Sequence, residues 1–233
     1  MKKIFITLLK IAFISIGFSA CESSEQPSNT QRLSVFIDRT GNPIQPSSEQ
    51  LFNHLDTSRV FDGFSLSLMN VTDNPYNKSE RFEIPATSAG LLSNEDERRR
   101  RIKVFKHKVS ECLILSNRQN YNYQQSVIFE VVVKELARLS KYKDGGVLVL
   151  YSDLQEHNSE FNSYRRLNKL SLEKRFKNEL SALELTNIKL YITYQPDTPS
   201  QSKQFSNMLQ LYQSILEPKG LKIYVGDTNT QLF

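Results

Sequence analysis

A doubly wound α/β fold, with a mainly parallel open sheet and helices on both faces, follows from three features of this chain. From Gly145 onward, short apolar runs alternate with helix-period segments at lengths that fit βα units. The run Val147-Leu-Val-Leu-Tyr151 is continuously apolar, as suits a central strand covered on both faces. Gly145-Gly146, Pro196 and Pro218-Lys219-Gly220 fall between the segments, where turns belong.

Leu33-Ser-Val-Phe-Ile37 is a short apolar β-type run ending at Asp38. Arg39-Thr40-Gly41-Asn42-Pro43 then turns by its glycine and proline. Ser47-Ser48-Glu49 opens a short helix through Leu55, with serine as N-cap. Phe64 to Val71 alternates apolar and polar residues, which predicts a strand with one half-buried face, and Asp73-Asn74-Pro75 breaks it. Arg81 to Ile84 is a third strand, closed by Pro85. A long helix starts at Ser93-Asn94-Glu95, with acids in its first turn, and carries Ile102, Phe105, Val109, Cys112 and Leu113 at helical spacing. Asn117 to Gln125 is a polar break. The next helix shows Ile128, Val131, Val132, Leu136 and Leu139, with Glu135 the polar exception on that face. After the strand to Tyr151, a polar segment over 154–170 leads to a helix marked by Leu172, Phe176, Leu180 and Leu183. Ile188 to Tyr194 is a strand. Phe205, Met208, Leu209, Tyr212 and Leu216 mark a helix, and Leu221 to Val225 is the last strand.

The first residues carry a different message. Lys2 and Lys3 precede an apolar stretch from Ile4 to Phe18, and Ser19-Ala20 lead into Cys21, the order of an export signal. The stretch from Ile4 to Ala20 is 17 residues with Lys10 inside it, too short and too broken for a comfortable membrane span. A cysteine directly after two small residues resembles the lipobox of bacterial lipoproteins. That resemblance implies cleavage before Cys21 and a lipid on that residue. It places the chain in the bacterial cell envelope, anchored to a membrane on its periplasmic or surface face. Residues 1–20 are then the signal, 21–32 a polar flexible tether, and 33–233 one domain, long enough for a real core.

Removing the signal takes three lysines and no acid, so the formal charge falls from +5 to +2. The basic balance belongs largely to the signal and is no argument for nucleic acid as a partner. Besides Cys21 the chain has only Cys112, which on its apolar helical pattern reads as a buried free thiol. There is no Ser-His-Asp pattern, no phosphate-binding glycine loop and no metal-type Cys/His set, so an enzyme is not expected.

Ligands of open parallel sheets collect outside the carboxyl ends of the strands. Asp38 and Asp153 stand there, and Thr40 and Asn42 follow Asp38 at spacings of two. Alternate oxygens of that kind suit a hard cation such as Mg²⁺ or Mn²⁺. In Asp38-Arg39-Thr40-Gly41-Asn42 and Asp153 the chain resembles the von Willebrand factor A-type domain over roughly residues 33–225. In that family an Asp-x-Ser-x-Ser turn, a mid-chain threonine and an aspartate after the fourth strand form a metal-ion-dependent adhesion site. The resemblance implies Asp38, Thr40, Asn42 and Asp153 as ligands. No threonine stands between Thr87 and Thr186, so Ser116 or Ser126 would supply the remaining one. Asn42 replaces a hydroxyl residue, and Leu154 stands where the family has glycine. Both aspartates can equally cap their own turns. An Asp followed by Thr at a strand end is also similar to haloacid-dehalogenase-type phosphatases, but Thr40 occupies the place of their second aspartate.

Tyr121, Tyr123, Phe161 and Tyr164 lie in two polar loops, where aromatics either anchor a protein partner or pack the loops down. Arg98 to Arg101 with Lys103, Lys106 and Lys108 read as a solvated helix face, with lipid headgroup contact as the functional alternative. The expected function is a lipid-anchored module that binds an unknown envelope protein through the loops near Asp38 and Asp153, with or without a divalent cation. The alternative is a metal-free scaffold of an envelope assembly.

Overall fold

The computed structural model describes residues 29–40, 45–73, 77–88, 94–119, 121, 123, 125–158, 161–163 and 169–226. Cys21, Asn42 and Tyr164 lie outside them. The elements are β1 (Thr30–Asp38), α1 (Ser48–Phe52), β2 (Gly63–Val71), β3 (Ser79–Ile84), α2 (Glu95–Arg118), α3 (Ile128–Leu139), β4 (Gly146–Tyr151), α4 (Lys169–Arg175), α5 (Lys177–Ser181), β5 (Ile188–Thr193), α6 (Pro199–Leu216) and β6 (Lys222–Gly226). The six strands form one sheet in the order β3-β2-β1-β4-β5-β6. All neighbours run parallel except β3, which is antiparallel to β2 at the edge. The chain is therefore an α/β protein of the doubly wound kind.

Strand side chains alternate between the two faces, and the core divides accordingly. Leu33, Val35 and Ile37 of β1, with Val149 and Tyr151 of β4, pack under α1 and α2. Phe36 of β1 and Leu148 and Leu150 of β4 pack against α3 to α6. Burial on both sides explains why β4 reads as an unbroken apolar run rather than an alternating one.

Helix starts follow their caps. Ser47 and Gln50 form a capping box before α1, as do Thr198 and Gln201 before α6, where Pro199 fills the first turn. The Asn94 side chain accepts from the Glu97 backbone N–H at 2.9 Å at the start of α2. At the other kind of boundary, Gly145 holds φ +62°, and a Cβ there would meet the Asn187 carbonyl oxygen at 2.0 Å.

Several boundaries differ from the sequence reading. β1 begins at Thr30, three residues before the expected start, because Gln31 holds Asp56 with a pair of side-chain bonds of 2.7 and 3.0 Å. Such polar pairing leaves no apolar signature. The single helix expected over 172–183 is two, α4 and α5, which meet at Phe176. The Phe176 ring is buried there against Phe129, 5.3 Å between centroids. Cys112 is half-buried rather than buried. Within the arginine run, Arg98 turns inward: it is 4% exposed and donates to the carbonyls of Val60 and Asp62.

The polar exception on α3 is also explained. Glu135 is 8% exposed and accepts from Ser34, a fully buried serine of β1, and from Arg138 at 2.7 and 2.9 Å. The carboxylate thus ties α3 to the central strand inside the core. Glu135→Ala should lower the free energy of unfolding by about 1–3 kcal/mol, because it leaves the buried Ser34 hydroxyl without its acceptor and Arg138 without its carboxylate. The double variant Ser34→Ala/Glu135→Leu should recover most of the loss, since Arg138 can turn to solvent. Urea denaturation checks both.

Candidate functional site

The strand order reverses between β1 and β4: from β1 the sheet grows toward β2 and β3, from β4 toward β5 and β6. Outside the carboxyl ends of such a pair lies the crevice where doubly wound sheets take their ligands. Asp38 ends β1 and Asp153 follows β4, so both acids expected at the site flank this crevice.

Asp38 is 4% exposed, and its carboxylate is filled by protein donors. Oδ1 accepts from the Thr40 backbone N–H at 3.0 Å and the Thr40 hydroxyl at 2.7 Å, and Oδ2 accepts from the Ser152 hydroxyl at 2.8 Å. Burial raises its pKa to about 6 against these three bonds, and the nearby charge of Asp153 adds to the rise. Asp153 is half-buried, accepts from the Gln155 backbone N–H at 2.8 Å, and has its own pKa raised by burial.

The next residues bring in a third acid that the sequence reading passed over. Leu154 is fully buried with φ +63°, a left-handed backbone that costs a leucine roughly 1–2 kcal/mol. The glycine that the resemblance expects at 154 would meet no such cost. The turn delivers Glu156 into the protein at 1% exposure. Its carboxylate accepts from the Phe129 backbone N–H at 2.8 Å, in the first turn of α3, and from Asn158 Nδ2 at 2.7 Å. Burial pushes the Glu156 pKa up to about 7. Tyr212 of α6 faces the same region. It is fully buried, its hydroxyl has no hydrogen-bond partner among the described residues, and burial with the charges of Glu156, Asp38 and Asp153 raises its pKa.

Arg39 goes the other way. One residue beyond Asp38, the alternation of the strand aims it at the opposite face, toward α2. It is 2% exposed. Its Nε donates to Asn70 Oδ1 at 2.7 Å, and Nη2 donates to the Ser116 hydroxyl at 2.6 Å and to Asn117 Oδ1 at 3.0 Å. The guanidinium lies 5.0 Å from the centroid of the Tyr121 ring. Its hydrogen-bond partners among the described residues are neutral. Nothing in the sequence reading singled it out, although an arginine directly behind a run of buried strand residues must be buried with them or turn the chain.

This arrangement decides which expected ligands meet. Asp38 and Thr40 are together, and Asp153 is close enough for its charge to act on Asp38. Ser116 is not with them: it sits across the sheet plane, held by Arg39, and donates to Asn70 Oδ1 at 2.8 Å. Ser126 is buried but donates to the Gln155 carbonyl at 3.0 Å, so it fastens the 155–158 loop rather than facing Asp38. Among the described residues no group of three or more His, Cys, Asp or Glu is placed to hold a metal ion. Of the two hydroxyls named for the remaining ligand, Ser116 is bonded to the Arg39 guanidinium on the other face and Ser126 to the Gln155 carbonyl, and Asn42 lies outside the described residues.

The loop aromatics also separate. Tyr123 bridges to Thr40, which brings the break after α2 onto the turn after β1. Tyr121 and Tyr123 are half-exposed, with ring centroids 6.0 Å apart. Phe161, expected to contact a partner, is 9% exposed and belongs to the core under α3. No protein-family model matches the chain, and no curated protein matches it significantly.

The two raised carboxyls make stability depend on pH in a defined direction. Each holds its proton in the folded state up to about pH 6 or 7 but loses it near pH 4 when unfolded, so stability falls as pH rises through that window. His54, lowered by burial to about 4, works in the opposite sense, but only below its ordinary value of 6.5. The fall between pH 6.5 and 8 therefore belongs to the carboxyls. Glu156→Gln should raise Tm at pH 8 and lose that advantage by pH 5. A pH series of thermal melts reads this.

Proposed function

We propose that this chain is a membrane-anchored lipoprotein of the bacterial envelope whose α/β domain binds a protein partner at the carboxyl edge of the sheet. The anchor rests on the order of Lys2-Lys3, the apolar stretch and Ser19-Ala20-Cys21. The binding surface rests on one observation: the half-exposed pair Tyr121 and Tyr123 lies at the strand-order reversal, with Tyr121 over the buried Arg39 and Tyr123 bridged to Thr40. Tyrosine and arginine are the residues that dominate interface energetics, and a fixed aromatic pair loses little freedom on binding. The buried acids beside it, with pKa values raised toward neutrality, mark the same edge as a candidate site.

In this reading the domain works without a divalent cation, and the guanidinium of Arg39 is the positive charge that organises the edge. A scaffold without a partner at this edge is the second reading, favoured by the near-complete burial of Arg39.

Radiolabelled palmitate should enter the wild-type chain and be absent from Cys21→Ser. Undiminished label in the variant rejects the anchor. Millimolar Mg²⁺ or Mn²⁺ should leave Tm where EDTA leaves it, while a rise that Asp38→Ala abolishes would restore the cation site. A photo-crosslinking residue replacing Tyr123 in intact cells should give a discrete protein adduct. One replacing the exposed Glu179 of α5 should not. Equal labelling at both positions would leave the scaffold reading.

A further inference from the structure

The outer face of α2 is not explained by the carboxyl edge. Three of the large apolar side chains that the described surface exposes lie on it: Val104 at 53%, Ile114 at 50% and Leu115 at 61%. At 100° per residue, Val104 and Leu115 share an arc of about 80° with Arg100, Lys108 and Arg118, and Ile114 and Lys103 adjoin it. Arg100, Lys103, Lys108 and Arg118 are exposed and form no ion pair with the described residues. Of the acids in that arc, Glu97 pairs with Arg101 at 2.5 Å and Glu111 lies 3.3 Å from His107; of those on β3 that line the grooves, Glu80 pairs with Lys78 at 2.7 Å and Glu83 accepts from the Ser65 hydroxyl. Beside the helix, the seam between α2 and the edge strand β3 opens into two adjoining grooves of about 500 and 690 Å³, which share Phe82 and Lys108.

The position of this face relative to the amino-terminal stretch gives it a partner. The first groove ends at Ile84 and Pro85. The next residue, Ala86, meets Thr30 across Gly63: a Cβ built on Gly63 would lie 2.7 Å from the Thr30 hydroxyl and 2.9 Å from the Ala86 nitrogen. Thr30 is where the stretch from Cys21 enters the sheet. Nine steps of extended chain from Cys21 to Thr30 reach about 30 Å at most, while a domain of this size has a radius of gyration of roughly 16 Å. A lipid on Cys21 therefore holds Thr30, and the groove end beside it, within about 30 Å of the bilayer.

We propose that the outer face of α2, with the groove it forms along β3, docks on an anionic lipid surface. This rests on the anchored reading of Cys21 for its high local concentration, not for its chemistry. Unpaired Lys and Arg side chains meet lipid phosphates, and the aliphatic Val104, Ile114 and Leu115 enter the headgroup boundary, the division of labour of an interfacial helix. A protein partner fits less well. The exposed apolar residues here are aliphatic and dispersed among cations, whereas protein interfaces concentrate aromatics and methionine and lose charge at their centre.

The test uses the full lipidated chain, purified in detergent and reconstituted into vesicles of phosphatidylethanolamine with or without phosphatidylglycerol. An environment-sensitive fluorophore is placed by Leu115→Cys in a Cys112→Ser background, and by Lys174→Cys on α4 as a control on the other side of the sheet. Flotation with the vesicles reports the anchor. Quenching by brominated lipid reports the face. The label at 115 should be quenched in anionic vesicles, released by high salt, and several-fold less quenched in neutral vesicles, while the label at 174 stays aqueous throughout. Each cation neutralised among Arg100, Lys103 and Lys108, as in Lys108→Gln, should weaken the docking about fivefold, with flotation and Tm unchanged. A floated chain whose label at 115 remains aqueous overturns the docking and leaves the anchor standing. A label shielded in native envelope membranes but aqueous in the vesicles overturns it in favour of a protein. A chain that does not float fails the anchor alone. Its label at 115 is then read after anionic vesicles are added at high lipid, where quenching upholds the docking and its absence overturns it.

Discussion

The reversal of strand order between β1 and β4 is the constraint on which the rest of this molecule turns. Two central strands end side by side while their connections leave in opposite directions, so the chain cannot close the edge with helix. Side chains must do it. The two-residue alternation of β1 sends successive side chains to opposite faces. Asp38 bonds Thr40 and Ser152 on the α3 and α6 side, while Arg39 bonds Asn70, Ser116 and Asn117 on the α2 side. One dipeptide therefore ties β1 to β4, β2 and the last turn of α2. The carboxylate and the guanidinium are adjacent in sequence yet serve opposite faces, which is why three neutral groups, rather than the acid beside it, satisfy the arginine.

The elements with a strong period were legible from the residues alone. The apolar run of β4, the alternation of β2 and the capped starts of α1 and α2 each carry their signal within a few neighbours. Both aspartates were found because acids at strand ends are few and the carboxyl edge is where they matter. What escaped was contact between distant segments. Ser116 was named for the right neighbourhood but the wrong companion, since no local pattern says that Arg39 will claim its hydroxyl. Glu156 looked like one more acid in a polar loop. Only the left-handed turn at Leu154 carries it inside to the start of α3. Phe161 has the composition of a contact residue and the environment of a core residue, and three-dimensional packing alone distinguishes the two.

The carboxyl edge is also where the structure gives up stability. A leucine in left-handed backbone, a tyrosine hydroxyl without a described partner and two carboxyls with raised pKa values all gather within it. Each opposes folding, and none improves the core. A left-handed leucine beside two raised carboxyls is the kind of local strain that functional sites carry. The amino edge differs in kind. There Gln31, Asp56, Arg59 and Asp62 join in polar pairs, while Asn29 Oδ1 and Arg98 Nη1 are buried without a partner among the described residues.

That contrast orients the domain. β1 is nine residues long, so its two ends lie about 25–30 Å apart. A chain anchored ahead of Thr30 holds the amino edge near its membrane and leaves the strained edge a full strand length away from the anchor. If α2 rests on the bilayer, the sheet lies roughly along the surface, because α2 covers one face of it. The tyrosine pair beside Arg39 then points sideways, in the plane where another envelope protein would be met. The two proposed contacts meet at the carboxyl end of α2, because Asn70, Ser116 and Gln119, which hold Arg39 and Tyr121, also line the second groove.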